Sequence, residues 1–149
     1  MSQADIDVHY VPPHGVPNWL PAILGHIEEC NSGAEQAYSE SEQTELLLSG
    51  RVSLWIAHCN GSLVGHTGTS IYRNGGENYI HLSHMWTKPG SGQVIESFME
   101  PVLEYARSVN AKGVTYKTAR NARAFARRAK KFGMKPSLIE FFMEVPDAN

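Results

Sequence analysis

Apolar residues follow a helical period in the first third of the chain. Over residues 17–30 they recur every three or four positions behind Pro17, which predicts a helix that ends at Asn31-Ser32-Gly33. A second, acidic helix is predicted over 34–48, before Ser49-Gly50. The segment before Gly15 has little periodicity and is predicted to be irregular or an edge strand.

The hydrophobic period changes to two in the middle of the chain. Alternating residues predict strands over 52–59, 63–72 and 78–86. Asn60-Gly61 between the first two is a strong hairpin signal, and residues 73–76 supply the second turn. These segments predict an antiparallel three-stranded meander.

The second half of the chain alternates helices and strands. An amphipathic helix is predicted after Gly92, either kinked at Pro101 or starting late with Ser97 as N-cap and Glu100 completing a capping box. A strand over 113–118, a basic helix over 121–132 and a strand over 138–145 follow. The order predicts one α/β (α+β) domain over residues 1–149, in which the meander precedes a β-α-β-α-β half with parallel strands.

Composition limits the class of protein. A chain of 149 residues, 42% hydrophobic and 19% charged, is predicted to be one globular domain without a secretion leader or membrane helix. Cys30 and Cys59 have no paired spacing, so neither a disulfide framework nor a cysteine metal site is predicted. The expected location is the cytoplasm.

Charge is divided into two blocks of opposite sign. The acidic block, residues 1–50, has no Lys or Arg and contains Asp5, Asp7, Glu28, Glu29, Glu35, Glu40, Glu42 and Glu45. The basic block, residues 105–139, has no acid and contains Arg107, Lys112, Lys117, Arg120, Arg123, Arg127, Arg128, Lys130, Lys131 and Lys135. The blocks could attract each other within the domain or across a homodimer, or the basic block could bind an anion such as a phosphorylated cofactor. Nucleic acid is disfavoured, because the bases of the 121–132 helix spread over most of its exposed circumference.

Three local patterns recur in one known family. The loop Thr87-Lys88-Pro89-Gly90-Ser91-Gly92 precedes the amphipathic helix, which runs to Asn110 before the strand at Gly113. Asn121-Ala-Arg-Ala124 then begins the basic helix that ends at Phe132-Gly133. In this order the patterns resemble the GNAT family of acetyl-coenzyme A dependent N-acetyltransferases, with Thr87 in place of the family's Gln or Arg.

The resemblance implies a cofactor site for acetyl-CoA. Backbone N–H groups at a helix start hold a pyrophosphate well, and glycine lets the backbone approach it. The implied contacts are the N–H groups of Gly90, Ser91, Gly92 and Gln93, the end of the strand at Thr87, and the charge of Lys88. Asn121 is expected to contact the pantetheine arm, which in the family lies where the sheet splays.

Histidines of the third meander strand are the candidate bases for acetyl transfer. His81 is the first candidate and His84 the second, with His66 on the neighbouring strand. A regular strand would place His81 and Ser83 on one face and His84 on the other. At the family's acid position, a Tyr, this chain has Ala129.

Two functional interpretations remain open at this level. One is an N-acetyltransferase whose acceptor is a small-molecule or protein amine, cationic if the acidic 34–48 helix flanks the cleft. The other is a degenerate, inactive GNAT-like protein with a structural or partner-binding role, resembling a phage virion protein and located in the virion or host cytoplasm.

Overall fold

A five-stranded sheet forms the centre of the molecule. The computed structural model describes residues 5–31, 39–117, 122–136 and 143–146. Strands lie in the order of the chain, antiparallel except for the last pair. They are β1 (Ile6–Val11), β2 (Ser53–Cys59), β3 (Ser62–Asn74), β4 (Glu77–Thr87) and β5 (Ala111–Tyr116). The predicted mixed α+β sheet with an antiparallel first half is confirmed.

Helices cover both faces of the sheet. They are α1 (Leu20–Asn31), α2 (Glu40–Leu48), α3 (Val94–Ser108) and α4 (Ala122–Ala129), with 3-10 turns at Pro13–Asn18 and Lys130–Phe132. Ile23 of α1 and Leu47 of α2 pack on Leu54 of β2 on one face. On the other face Phe98 and Val102 of α3 pack on β2, β3 and β4. Each such buried side chain stabilises the fold by about 1.5–3 kcal/mol.

Local sequence signals explain the turns and the start of α2. Asn60 and Gly61 both have positive φ, at 51° and 81°, as a two-residue hairpin turn requires. Ser39 begins α2 with a capping box, in which its Oγ accepts from the Glu42 amide and its amide donates to the Glu42 carboxylate. Residues 34–38 of the predicted helix lie outside the described residues.

Helix α3 follows the loop directly. It starts at Val94 with Gln93 as its N-cap residue and continues past Pro101 to Ser108. The alternative start at Ser97 is wrong, because Ser97 lies within the helix and its Oγ is buried. Burial of Val94 against β3 outweighs the capping signal at Ser97.

The C-terminal third departs from the sequence expectation in its boundaries. Strand β5 starts two residues early, at Ala111, and α4 ends at Ala129, where a 3-10 turn continues to Phe132 before Gly133 at φ 81°. Of the predicted strand 138–145, residues 138–142 lie outside the described part of the chain. Residues 143–145 have no regular structure, and Met143 and Val145 are each 87% exposed.

Strand β4 contains one extra residue at Ser83. Leu82 pairs with Thr69 while His84 pairs with Gly68, so two consecutive β3 residues face β4 residues that are two apart. Such a β-bulge reverses the alternation of side chains. Leu82 before the bulge and Met85 after it therefore share the α3 face.

The bulge also decides where the two candidate histidines point. His81 and His84 both lie on the face covered by α1 and α2, where His81 faces Leu46 and His84 faces His66. The expectation that they lie on opposite faces is wrong, because it assumed a regular strand.

Strands β4 and β5 separate after a short parallel ladder. They pair from Asn78 with Ala111 to Leu82 with Tyr116. Among the described residues, 83–87 of β4 have no partner on the β5 side. The sheet is thus open beside the bulge and the loop that precedes α3.

We expect Gly68→Ala to destabilise the protein. A Cβ there would lie 2.5 Å from Ser83 Oγ, 2.7 Å from Val52 Cγ1 and 2.9 Å from His84 Cε1. Overpacking of this kind costs about 1–3 kcal/mol of unfolding free energy, measurable by urea denaturation. The control is Gly25→Ala in α1, where a Cβ meets nothing within 4 Å and alanine should stabilise by about 0.5–1 kcal/mol. Equal effects at both positions would contradict this packing.

Within the described part of the chain, no helix is both long enough and apolar enough to cross a membrane.

Candidate functional site

The loop between β4 and α3 forms one end of the site. The Lys88 amide donates to the Val64 carbonyl at 2.9 Å, and the Ser91 amide donates to the Lys88 carbonyl at 2.9 Å. Gly90 takes φ 80°, which glycine adopts without strain. Lys88 and Gly90 are exposed, whereas Ser91 is buried. The loop therefore presents exposed backbone and one cation at the start of a 15-residue helix.

A second cation reaches this loop from α4. A Cβ on Gly92 would lie 2.6 Å from Nη2 of Arg128, so the guanidinium lies directly over the glycine backbone. Arg128 Nη1 is 3.3 Å from Glu96 Oε1, and both side chains are partly buried. Arg128 thus brings positive charge to the loop where Thr87 replaces the family's Gln or Arg.

His81 lies in the paired part of β4, opposite Thr115 of β5 and two residues before the open segment 83–87. Its Nδ1 lies 3.1 Å from Oγ1 of Thr115 on β5, which is also 3.4 Å from the Tyr72 hydroxyl. Burial, and secondarily the charge of Lys117, lowers the pKa of His81 below its usual 6.5. The imidazole is therefore neutral at neutral pH. With its proton on Nδ1 toward Thr115, it has a free lone pair on Nε2.

A pocket of about 240 Å³ lies in front of His81. It opens between α2 and the sheet and is lined by Leu46, Arg51, Val52, Ser70, His81 and Ser83. Arg51 also pairs with Glu45 at 3.3 Å on the exposed rim. The pocket can hold a small polar group against a neutral histidine.

Three histidines form a line beside this pocket. His26 Nδ1 lies 3.2 Å from His66 Nε2, and His66 Nδ1 lies 3.0 Å from His84 Nε2. His26 also stacks on Trp86, with ring centroids 3.7 Å apart and planes within 4°. Among the described residues, His84 Nδ1 and Ser83 Oγ are buried without a hydrogen-bond partner.

Burial keeps the two inner rings of this line neutral. It lowers the pKa of His66 to about 2, with smaller contributions from His84 and His26, and the pKa of His84 to about 4. The cause is the loss of water around a charged imidazole. Within the described residues no cluster of His, Cys, Asp or Glu has the arrangement of a metal site.

The chain resembles known proteins in structure rather than in sequence. No protein-family model and no curated protein sequence matches the chain. An aminoglycoside acetyltransferase from an uncultured soil metagenomic sample is 15% identical, covering 98% of this chain and 100% of that chain at a TM-score of 0.71. The ribosomal-protein-alanine N-acetyltransferase of Brucella melitensis biovar Abortus 2308 is 10% identical, with 95% and 99% covered and a TM-score of 0.70.

A third solved structure is the aminoglycoside N-acetyltransferase AAC(6')-Iy in complex with a bisubstrate analog, CoA-S-monomethyl-acetylneamine. It is 15% identical, with 95% of this chain and 99% of that chain covered and a TM-score of 0.71. The chain has the GNAT fold. The resemblance drawn from the three sequence patterns is confirmed at the level of the fold.

The cofactor-site residues predicted from the sequence, except Asn121, lie together between β4 and α3. Thr87 ends β4, and Lys88, Gly90, Ser91, Gly92 and Gln93 belong to the loop between β4 and α3, beside the open segment of β4. Asn121 lies outside the described residues. Ala129, at the family's Tyr position, is 3% exposed and carries no acid group.

Sequence reasoning missed several residues of the site. In the sequence Arg128 is only one base of the basic block, and no local pattern indicates a site role for Thr115 or His26. The α4 sequence contains no signal that singles out Arg128 from Arg127, since only the packing of α4 beside α3 brings it to Gly92. The 2-residue period did indicate His66, but not its contacts with α1.

Proposed function

We propose that this protein is an acetyl-CoA dependent N-acetyltransferase that acts on an amine. The observation that carries the proposal is the pocket in front of a neutral His81, whose lining residue Ser83 begins the open segment of β4. The neighbours with the same fold are acetyltransferases, and one is in complex with a CoA-based bisubstrate analog. They give no support to an inactive structural protein of a phage.

The loop and Arg128 fit a pyrophosphate. The Arg128 guanidinium covers the Gly92 backbone, where a Cβ would collide with it, and pairs with Glu96. Lys88 and the remaining N–H groups of Arg128 could therefore contact a phosphate at the positive end of the α3 dipole. When bound there, acetyl-CoA supplies the activated acetyl thioester. Its pantetheine arm would lie along residues 83–87 of β4, which have no β5 partner among the described residues, although the His84 and Met85 carbonyls already accept from Thr67 and Cys30.

His81 is the proposed general base. When Nδ1 donates its proton to Thr115 Oγ1, Nε2 carries the lone pair of a ring that lines the pocket. Deprotonation of the amine at this atom makes the nitrogen nucleophilic, and general base catalysis of this kind contributes about 100- to 10,000-fold. The contact with Thr115 orients the ring, and the tautomer with a free Nε2 is the one in which the Thr115 hydroxyl accepts from Nδ1.

The acceptor is proposed to be a small cationic amine. The pocket volume of about 240 Å³ suits the end of a small molecule. Glu40, Glu42 and Glu45 are exposed along α2, beside the pocket residue Leu46. This negative surface attracts a cation by long-range electrostatics. Two neighbours are aminoglycoside acetyltransferases, which agrees with this class.

Binding of acetyl-CoA tests the proposal directly. We expect isothermal titration to give one site per chain with a micromolar dissociation constant, and Arg128→Gln to weaken it about tenfold, or about 1.4 kcal/mol. The control is Arg127→Gln, because Arg127 is exposed one position earlier on α4. Absence of heat up to millimolar ligand would refute the proposed function. Equal loss in both variants would remove Arg128 from the site.

A further inference from the structure

We propose that β1 is the interface of a homodimer, in which the β1 strands of two copies of this chain pair antiparallel about a two-fold axis. Among the described residues, β1 has β2 on one side and no strand on the other. Asp7, His9 and Tyr10 are exposed along the strand. The proposal concerns a surface that takes no part in acetyl transfer, so it stands or falls independently of the proposed function.

The outer edge of β1 lacks the features that usually prevent two strands from pairing. Natural edge strands are shielded by lysine, proline, β-bulges or very short length. The six residues of β1 include neither lysine nor proline, and they pair with β2 without a shift in register. The backbone N–H and C=O groups on the outer side can therefore form a ladder with another strand.

Symmetry restricts this pairing to a few registers. Val11 packs on the α1 and α2 side of the sheet, and Ile6 and Val8 pack on the α3 side, so odd and even residues lie on opposite faces. Side chains directly opposite each other in an antiparallel pair share a face. The two-fold axis must therefore pass beside one residue, which faces its own counterpart. Axes at Val8 and at His9 keep most of the strand paired.

The register centred on Val8 pairs complementary side chains on both faces. It sets Asp7 of each copy opposite His9 of the other, and a carboxylate accepts a hydrogen bond from an imidazole N–H in either protonation state of the ring. On the α3 face it sets Val8 opposite Val8, and Ile6 opposite Tyr10. The two-fold axis repeats each unequal contact, so the interface closes on two copies.

Residues of β2 support both sets of contacts. His58 lies opposite Asp7 in β2, and its ring centroid is 5.2 Å from that of His9. Asp7 would thus lie between His58 of its own chain and His9 of the second copy. On the other face the Tyr10 ring packs 5.6 Å from Trp55 and is still 44% exposed. An aromatic ring already held by its neighbour loses little side-chain freedom on binding.

The competing registers are worse matched. The one centred on His9 sets the Asp7 carboxylate opposite Val11, which is 4% exposed and belongs to the core. A register centred on Asp7 sets two carboxylates opposite each other, which is destabilising. Side-chain complementarity therefore favours the register centred on Val8.

The interface leaves the candidate site open. Strand β1 begins the strand order of the sheet, whereas His81 and the open segment 83–87 belong to β4. Pairing through β1 joins the two sheets into one continuous sheet with a site toward each outer end.

Sedimentation velocity of the full chain tests the interface. We expect dimers with a dissociation constant of about 10 µM, as suits a small edge contact. Asp7→Arg and His9→Asp each destroy both complementary pairs, so each should weaken dimerisation at least about tenfold, or about 1.4 kcal/mol. The control is Glu77→Arg, at an exposed acid of β4, which should dimerise like the wild type. A wild-type protein that stays monomeric at about 200 µM would overturn the proposal.

Mixing the two single variants tests the register. In a mixed dimer the introduced arginine of one copy faces the introduced aspartate of the other, and the unchanged His9 and Asp7 face each other. An equimolar mixture of Asp7→Arg and His9→Asp should therefore dimerise about as tightly as the wild type, which a misfolded variant could not do. A mixture that stays monomeric, or a single variant that dimerises as tightly as the wild type, would overturn the pairing.

Discussion

Replacing His81 with alanine is expected to lower kcat by about 100- to 10,000-fold, the range that a positioned general base contributes. Acetyl-CoA affinity should be nearly unchanged, because His81 lies at the pocket and not at the loop before α3. Steady-state kinetics with an amine acceptor, together with isothermal titration of acetyl-CoA, measures both quantities.

The pH profile distinguishes a lost base from a damaged fold. A base must be neutral to act, and burial lowers the pKa of His81 below its usual 6.5. Activity should therefore persist below pH 6.5 and fall only as His81 becomes protonated. His81→Ala should lose this acidic limb, while His9→Ala should keep both the limb and the rate. An unchanged kcat in His81→Ala would remove His81 from the mechanism.

Acid should destabilise the protein before its carboxylates are protonated. His66 and His84 have pKa values of about 2 and about 4 in the fold, and near 6.5 when unfolded. Below pH 6.5 the unfolded chain binds more protons, so stability is complete above this pH and is lost as the pH falls. Each group contributes about 1.4 kcal/mol per pH unit, and the pair about 2.7 kcal/mol per unit.

Urea denaturation at steps between pH 6.5 and 5 measures this slope. His66→Gln removes one of these groups, so its stability should fall less steeply, by about 1.4 kcal/mol per pH unit, whatever its stability at pH 7. His14→Asn, at an exposed position, should retain the slope. A flat profile in the wild-type protein would mean that the two rings are not buried together.

Local patterns identified most of the sheet. The two-residue period, Asn60-Gly61 and Gly75-Gly76 located β2, β3 and β4 to within one or two residues, because turn chemistry and alternation are properties of adjacent positions. The sequence offers two possible starts for α3. Ser97 and Glu100 satisfy a capping box in the sequence, but Val94 is held in the helix by contacts with residues distant in the chain.

Sequence patterns also located the loop at the start of α3 and the candidate base. Glycines and a lysine before an amphipathic run indicate an anion site independently of the rest of the chain. A histidine in a central strand is recognisable from the two-residue period. Both signals depend only on neighbouring residues, so a single sequence is enough to recognise them.

The relation between elements was decided only by the tertiary structure. The bulge at Ser83 turns His84 to the face of His81. No residue type in the local sequence predicts this bulge. Arg128 reaches Gly92, and His26 reaches His66, because α4 and α1 pack where the core places them. The sequence by itself determined the elements, the loop and His81, since these depend on neighbouring residues. The charge at the loop and the line of three histidines depend on packing between residues 18 to 40 positions apart, which local spacing does not encode.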